Sequence, residues 1–260
     1  MSARMESDSI GTLKIDADAY YGVQTERARQ NFPITGRPLH PRFIHSLVQV
    51  KKAACAANLA AGSLAAHKAS AILAACDEIL AGGLRGAFVV DAIQGGAGTS
   101  ANMNANEVIA NRAIELLGGT KGDYSLIHPN DDVNMAQSTN DVIPTAGRIT
   151  ALDLLAPLLH ELGRLRAELG KKSQEFAGVL KIGRTQLQDA VPMRLGQSFR
   201  AYASMLGRDA GRLQRARAGL WPVNLSGTAI GTCINTTEGY RQGVVPILAK
   251  LTGLDRKSVV

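Results

Sequence analysis

The long segment between Asn140 and Phe176 limits the possible folds of this chain more than any other part of the sequence. Its apolar residues recur three or four positions apart, at Ile149, Leu152, Leu155, Leu159, Leu162 and Leu165. This spacing places them on one face of an α-helix. Asn140 or Asp141 can cap the start of the helix, Pro144 suits its first turn, and Pro157 is expected to bend it. A helix of this length predicts an elongated helical bundle.

Shorter helical segments lie on either side of the long one. Residues 42–62, 67–83 and 106–119 carry apolar side chains at helical spacing and end at glycine, and one further helix follows Pro192. Residues 1–40 are punctuated by proline and glycine and predict irregular structure with one short helix. The sequence therefore predicts an all-α fold. We place a domain boundary near residue 140, where short helices give way to long ones.

Composition agrees with helices that pack through small side chains. Only 4% of the 260 residues are aromatic, while alanine, leucine and glycine dominate. The formal net charge is +7, and the basic residues are scattered apart from a cluster at residues 207–219. No aromatic residues are interleaved with that cluster, so it predicts a solvated helix face, and no nucleic-acid partner is expected.

Several other classes of protein are not predicted. Cys55, Cys76 and Cys233 are far apart, odd in number and not in CxxC pairs, so neither a disulfide framework nor a zinc site is expected. The N-terminus has no apolar core typical of a signal peptide, and no long uncharged apolar run predicts a membrane span. We expect a cytoplasmic protein with no metal and no cofactor.

Residues 94–108, "QGGAGTSANMNANEV", combine glycines with hydroxyl and amide side chains. Gly96 to Ala101 fit the dinucleotide pattern G-x-G-x-x-A, but the chain upstream predicts helix, and no second strand ending in an acidic residue follows. We therefore reject the dinucleotide interpretation. Two alternatives stay open for Thr99 and its neighbours: a helix-capping loop with asparagine turns, or an anion site at a helix start.

Residues 128–141, "HPNDDVNMAQSTND", are crowded with short hydrogen-bonding side chains and contain no lysine or arginine. Ser138, Thr139 and Asn140 come directly before the long helix, where they can form an N-cap. One such residue is enough for a cap, and the surplus is typical of a site that holds a small polar molecule. A second polar stretch, residues 184–189, comes before Pro192 and taken alone predicts only a turn.

Together these segments resemble the aspartase/fumarase superfamily over nearly the whole chain. The matching stretches are "DAYYGVQTERARQNFPITG", "QGGAGTSANMNANEVIANRA", "HPNDDVNMAQSTNDVIPTA", "KIGRTQLQDAVPMRLGQ" and "NLSGTAIGT". The resemblance implies an all-helical subunit of three domains whose central bundle assembles a homotetramer. Residues 1–140 would then be a small N-terminal helical domain and residues 141–260 a truncated part of the long-helix bundle, with the third domain absent.

Within the superfamily the chain resembles aspartate ammonia-lyases more than class II fumarases. Fumarases usually read GSGTQ where this chain has "GAGTS", and QSSND where it has "QSTND". Gln186 stands where fumarases carry a functional histidine, while aspartases have either residue. The implied reaction is the reversible anti elimination of ammonia from L-aspartate to give fumarate. Class II fumarate hydratase and a non-catalytic helical assembly fragment remain the alternatives.

The resemblance also implies which residues act. Six side chains are expected to bind the substrate carboxylates and amino group: Thr99, Ser138, Thr139, Asn140, Thr185 and Gln186. Four further residues resemble a secondary anion site of fumarases: His128, Pro129, Asn130 and Asp131. Such hydroxyls and amides would stabilise an aci-carboxylate dianion formed when the Cβ proton leaves.

The family's general base is a serine on a glycine-rich loop reading approximately G-S-S-x-M-P-x-K-x-N, which these 260 residues do not contain. We therefore expect the chain as given to be an inactive fragment whose catalytic residue is absent. The final "DRKSVV" also departs from the family pattern, and one possible coding sequence reads like a sequencing-adapter end. We expect Leu254 to be the last genuine residue.

Overall fold

The structure is a computed structural model that describes residues 3–254 and the backbone of residues 257–258. The expectation for "DRKSVV" concerns residues 255–260, which lie mostly outside the described residues. The described chain forms two compact units. One contains the residues up to Thr150 and those from Trp221 onward, and the other is Ala151–Leu220. The domain boundary near residue 140 stays a prediction.

Helices dominate the described chain, which confirms the all-α prediction. The helices are α1 Val23–Asn31, α2 Pro41–Ala60, α3 Ala66–Leu80, α4 Thr99–Leu116, α5 Thr139–Glu175, α6 Leu195–Ala218 and α7 Glu238–Thr252. A 3-10 turn spans Arg85–Ala87 and a π-helical turn spans Pro129–Val133. The predicted long helix is confirmed, because α5 is continuous from Thr139 to Glu175.

Short antiparallel hairpins accompany the helices. β1 Ala3–Asp8 pairs with β2 Gly11–Asp16, and β3 Leu180–Thr185 pairs with β4 Gln188–Arg194. β5 Pro222–Val223 runs parallel to β6 Lys257–Ser258. The irregular N-terminus predicted from the sequence is therefore wrong for β1 and β2. Their sequences are rich in charged and small residues, which have low strand propensity.

The core of the first unit surrounds α2, which packs against α3, α4 and α7. Ala53, Ala54 and Ala57 of α2 are completely buried, and Tyr240 and Leu248 of α7 are buried in the same core. Small side chains allow the helix axes to approach closely while apolar area is still removed from water. The low aromatic content of the chain suits this packing.

The nine-residue helix α1 is capped by carboxylates from distant parts of the chain. Glu107 of α4 is buried and accepts hydrogen bonds from the backbone N–H groups of Gly22 and Gln24 at 2.8 Å and of Thr25 at 3.1 Å. Glu6 of β1 accepts from Val23 N at 2.9 Å. Two buried carboxylates therefore satisfy the backbone donors that the start of a helix leaves open.

One helix of the described chain, α5, is long and apolar enough to cross a membrane by length and composition. Its most apolar 18-residue window has a mean hydropathy of 1.4, and 33% of that window is buried. A single helix of this kind is weak evidence for a membrane span, because core helices of other proteins meet the same criterion. Leu154, Leu158 and Leu165 of α5 are exposed.

Candidate active site

Two side chains satisfy backbone donors at the start of α5. Ser138 Oγ accepts from Asn140 N at 3.2 Å, and Asp141 Oδ1 accepts from Ser138 N at 2.9 Å. The N-cap hydroxyl thus satisfies the backbone donor of Asn140, and the Asp141 carboxylate satisfies the backbone donor of Ser138. The N-cap interpretation is confirmed for Ser138, whereas the expectation that Asn140 or Asp141 caps this helix is wrong, because both lie inside α5. The side chains of Thr139 and Asn140 take no part in this cap.

Pro144 leaves one backbone carbonyl of α5 free to accept a hydrogen bond from the loop that follows β5. Proline has no N–H group, so it leaves the carbonyl of the residue four positions earlier, Asn140, without its helical partner. Asn224 Nδ2 donates to that carbonyl at 3.1 Å. In return, Asn140 Nδ2 donates to the carbonyl of Ala229 at 2.8 Å. Asn140 is therefore held on both sides by residues 224–229.

Asp141 joins the same two segments from inside the protein. The residue is completely buried, and Asp141 Oδ2 accepts from Thr228 N at 3.0 Å while Oδ1 accepts from Ser138 N. Burial raises the pKa of the Asp141 carboxyl, while those backbone hydrogen bonds and the charge of Lys51 oppose the rise. This carboxylate fixes the capping residue and the facing loop relative to each other.

A cavity of about 410 Å³ opens beside Ser138, the N-cap residue of α5. It is lined by Asn130, Asp131, Asn134, Met135, Ala136, Gln137, Ser138, Thr228, Ala229, Ile234 and Asn235. This volume lies in the range typical of small-molecule sites. Amide and hydroxyl groups make up much of the wall, which gives a site able to hold a small polar ligand.

Backbone strain concentrates around this cavity. Three of its lining residues have positive φ angles without being glycine: Ala136 at 59°, Thr228 at 57° and Asn235 at 64°. Positive φ is rare for a β-branched residue such as Thr228. Strained residues of this kind persist where the surrounding contacts hold them, and they cluster at functional sites. The hydrogen bond from Thr228 N to Asp141 is one such contact.

Thr99 lies at the first position of α4, close to the start of α5. Gly98, which precedes it, has a φ of 91°, and a Cβ built on Gly98 would lie 3.0 Å from Ile143 Cγ2. Asn102, one turn further along α4, donates to Thr139 Oγ1 at 3.4 Å. The structure therefore brings the starts of two helices together. Thr99 is exposed and is not among the residues that line the cavity.

The asparagines that follow Thr99 have structural partners. Asn104 Nδ2 donates to the carbonyl of Ala87 at 3.0 Å, and its Oδ1 accepts from Val89 N at 3.0 Å. These two bonds hold residues 87–89 in a conformation that forms no strand. Gly98, the N-cap residue of α4, has no side chain to cap the helix, and Gln94 Oε1 accepts from Ala101 N at 2.7 Å instead. The choice between a purely structural loop and an anion site at Thr99 stays open.

The predicted secondary anion site, His128 to Asp131, forms the start of the π-helical turn Pro129–Val133. His128 Nδ1 accepts from Asn130 N at 3.3 Å and from Asp131 N at 3.1 Å. Nδ1 also lies 3.3 Å from Asp131 Oδ2. The imidazole is used as a cap, and only Nε2 can donate to an anion.

Thr185 and Gln186 lie in the second unit, at the turn between β3 and β4. Thr185 pairs with Gln188, so Gln186 and Leu187 form a two-residue loop. Their φ angles are 49° and 64°, as a type I′ turn requires, although this turn usually contains asparagine and glycine. The polar turn predicted from the sequence is thus a strained hairpin with Gln186 and a fully exposed Leu187 at its tip.

Leu187→Gly is expected to stabilise the chain by up to about 1 kcal/mol, because glycine adopts positive φ without the steric penalty of a Cβ atom. Leu187 is fully exposed, so little packing is lost. Urea unfolding measures the change. Leu187→Ala is the matched control, since it removes the same exposed side chain but keeps the Cβ. Equal stability of the two variants would contradict the assignment of strain to this position.

Sequence reasoning missed Lys51, which is buried beneath the cavity wall. The signal was present: Lys51 is four residues after Leu47 and three before Ala54, on the apolar face predicted for its helix. Burial lowers the pKa of the Lys51 ammonium to about 7. Among the described residues, no group of three or more His, Cys, Asp or Glu side chains is arranged to hold a metal ion.

Comparison with known proteins gives consistent matches. The sequence model of the lyase family matches residues 11–259. Aspartate ammonia-lyase from Bacillus sp is 52% identical over 250 residues, which cover 96% of this chain and 53% of that protein. The corresponding enzyme from Pseudomonas aeruginosa is 54% identical over 255 residues, covering 97% and 54%. The chain thus spans about half the length of the curated relatives it matches.

Solved structures also resemble this chain over nearly its whole length. Fumarate lyase:delta crystallin from Brucella melitensis bound to cobalt has a TM-score of 0.94 at 51% identity, covering 100% of this chain and 57% of that chain. Class II fumarase from Schistosoma mansoni has a TM-score of 0.88 at 35% identity, covering 97% and 53%. With the family match over residues 11–259 and the motifs described above, the chain belongs to the lyase family, and it corresponds to the N-terminal portion of an aspartase/fumarase superfamily protein.

Proposed function

We propose that the whole protein is an aspartate ammonia-lyase, which converts L-aspartate reversibly to fumarate and ammonia by anti elimination. The observation that carries this proposal is the polar cavity at the start of α5, whose wall contains hydroxyl and amide groups, including the hydroxyl of Ser138. Relatives from several bacteria, about 50% identical and described as aspartate ammonia-lyases, support the choice of reaction.

The proposed chemistry depends on stabilising charge. The Cβ proton of aspartate is only weakly acidic, and its removal becomes feasible when the neighbouring carboxylate takes the charge as an aci-carboxylate. Preorganised donors stabilise such a dianion strongly in a site that excludes water. In this proposal Thr99, Ser138, Thr139 and Asn140 supply donors from the first unit. Thr185 and Gln186 are the other two residues that we propose to bind the substrate.

Three further features belong to the same proposal. His128 Nε2 and the Asn130 side chain would bind a second anion. His128 Nδ1 would not take part, because it already accepts hydrogen bonds from Asn130 N and Asp131 N. The exposed leucines of α5 would pack in the central bundle of a homotetramer, which removes that apolar face from water. The N-terminal domain would consist of residues 1–140, and residues 141–260 would form part of this bundle. The enzyme would be cytoplasmic.

The assay that tests this function uses the full-length protein from the source gene. We expect fumarate, followed by its ultraviolet absorbance, to form from L-aspartate and not from L-malate. Formation of fumarate from malate alone would favour class II fumarase, the runner-up that the 35% identical Schistosoma mansoni structure supports. The 260-residue chain expressed alone serves as a control and is expected to form no fumarate, because its sequence contains no serine loop of the expected pattern.

A further inference from the structure

Lys51 makes two hydrogen bonds to side chains of the cavity wall. It lies in the middle of α2 and is completely buried. Lys51 Nζ donates to Asn134 Oδ1 at 2.7 Å and to Gln137 Oε1 at 2.9 Å. Both acceptors line the cavity, and Gln137 directly precedes the capping residue Ser138. Burying a charged ammonium is costly unless it is well hydrogen-bonded, so these two contacts hold Lys51 and its partners together.

The hydrogen bonds continue from Lys51 to the proposed substrate residues. Asn134 Oδ1 also accepts from Asn102 Nδ2 at 3.2 Å, and Asn102 Nδ2 lies 3.4 Å from Thr139 Oγ1. Gln137 Nε2 donates to the carbonyls of residues 133 and 135 at 3.0 and 3.1 Å. The ammonium group of Lys51 therefore holds the turn between the π-helical segment and α5 in place.

Few charged groups face Lys51. Its charge interacts with the buried carboxylate of Asp141 at the start of α5 and with Cys76 of α3. Burial lowers the pKa of Lys51 to about 7, while Asp141 and Cys76 act in the opposite direction. Burial also raises the pKa of the Cys76 thiol, which keeps that group neutral. The charge of Lys51, next to the cavity wall, therefore changes near neutral pH.

We propose that Lys51 is a positioning residue, which holds Asn134 and Gln137 in place. In this way it orients Ser138, Thr139 and Asn140, at the start of α5, for binding a dicarboxylate. The part concerning the dicarboxylate rests on the proposed function. The positive charge of Lys51 beneath the cavity also favours a dianion over a neutral ligand. Lys51 itself does not line the cavity.

The chain offers a matched control in the next residue. Lys52 pairs with Asp77, whose side chain is 59% exposed. Lys51→Met and Lys52→Met remove the same charge from adjacent positions of α2, but only the first removes donors to the cavity wall. Methionine has nearly the length of lysine and fills the buried space without a charge. Circular dichroism and thermal unfolding establish that both variants are folded.

The first experiment uses the 260-residue chain and follows its side-chain amide groups by ¹⁵N NMR between acidic and mildly alkaline pH. We expect the signals of Asn134 and Gln137 to shift with a common midpoint near the Lys51 pKa of about 7. Lys52→Met should keep this titration and Lys51→Met should abolish it. The proposal is overturned if the two signals do not titrate in the unsubstituted chain, a result that does not depend on how either variant folds. It is equally overturned if they titrate unchanged in Lys51→Met.

The second experiment measures KM and kcat of the full-length protein for L-aspartate across the same pH range. Lys51→Met is expected to raise KM about tenfold, with a smaller change in kcat, and to remove the increase in KM that accompanies deprotonation above neutral pH. Lys52→Met should change KM by less than about twofold. If Lys51→Met keeps the unsubstituted KM and pH profile, the positioning role is wrong. If the unsubstituted protein forms no fumarate from aspartate, the proposed function fails, and the NMR titration still decides whether Lys51 holds the turn.

Discussion

Asp141→Ala is expected to lower the free energy of unfolding of the 260-residue chain by about 3–5 kcal/mol. The carboxylate is completely buried and accepts from Ser138 N at 2.9 Å and from Thr228 N at 3.0 Å. Its loss leaves both backbone donors without this partner and removes an opposite charge that interacts with the Lys51 ammonium. Removing one partner from a buried charged network is more damaging than removing an exposed charge.

Urea unfolding measures this effect, and the fluorescence of Trp221, the single tryptophan, reports on the loop that Asp141 holds. Asp131→Ala is the matched control, since the Asp131 side chain is 82% exposed and belongs to the same cavity wall. Its effect should remain within about 0.5 kcal/mol. Losses of similar size in the two variants would show that the buried hydrogen bonds of Asp141 contribute little.

Thr139→Val is expected to lower kcat/KM for L-aspartate in the full-length protein about 100-fold or more. Valine keeps the shape of the side chain and removes the hydroxyl that we propose as a donor to the substrate carboxylate. The change should cost little stability, because Asn102 Nδ2 is 3.4 Å from Thr139 Oγ1 and also donates to Asn134. The main loss is therefore expected in catalysis.

Initial rates of fumarate formation test this expectation, together with a thermal unfolding measurement. Thr145→Val on the same helix is the control: its hydroxyl is buried and has no hydrogen-bond partner in the described part of the chain. Removing such a group is expected to be neutral or slightly stabilising. A Thr139→Val enzyme within about threefold of the unsubstituted rate would remove Thr139 from the substrate-binding residues.

The helices could be predicted from the sequence because their signals are local. The long helix expected from Asn140 to Phe176 was found at Thr139–Glu175, and the glycine pair after residue 81 correctly placed the end of α3 at Leu80. Hydrophobic spacing and helix-ending residues act within a few turns of chain, so one sequence contains them in full. The capping role of Ser138 was predictable for the same reason.

The remaining features depend on partners that are far away in the sequence. Lys51 meets Asn134 and Gln137 more than eighty residues later, and Asp141 meets Thr228 across a similar separation. No local pattern indicates such pairings. The positive φ angles around the cavity could not be predicted either, because alanine and threonine, found at Ala136 and Thr228, do not favour that conformation. The roles of the predicted substrate residues remain predictions.

The caps of α1 have a consequence for the order in which the protein folds. Helices shorter than roughly 12–15 residues are marginal in water, and α1 has nine. Three of its opening N–H groups are bound by Glu107, which the ribosome adds more than eighty residues after Gly22. During synthesis, α1 therefore leaves the ribosome before its cap exists. It becomes stable only when α4 has formed and docked, so the N-terminal helix acquires native structure later than its place in the chain suggests.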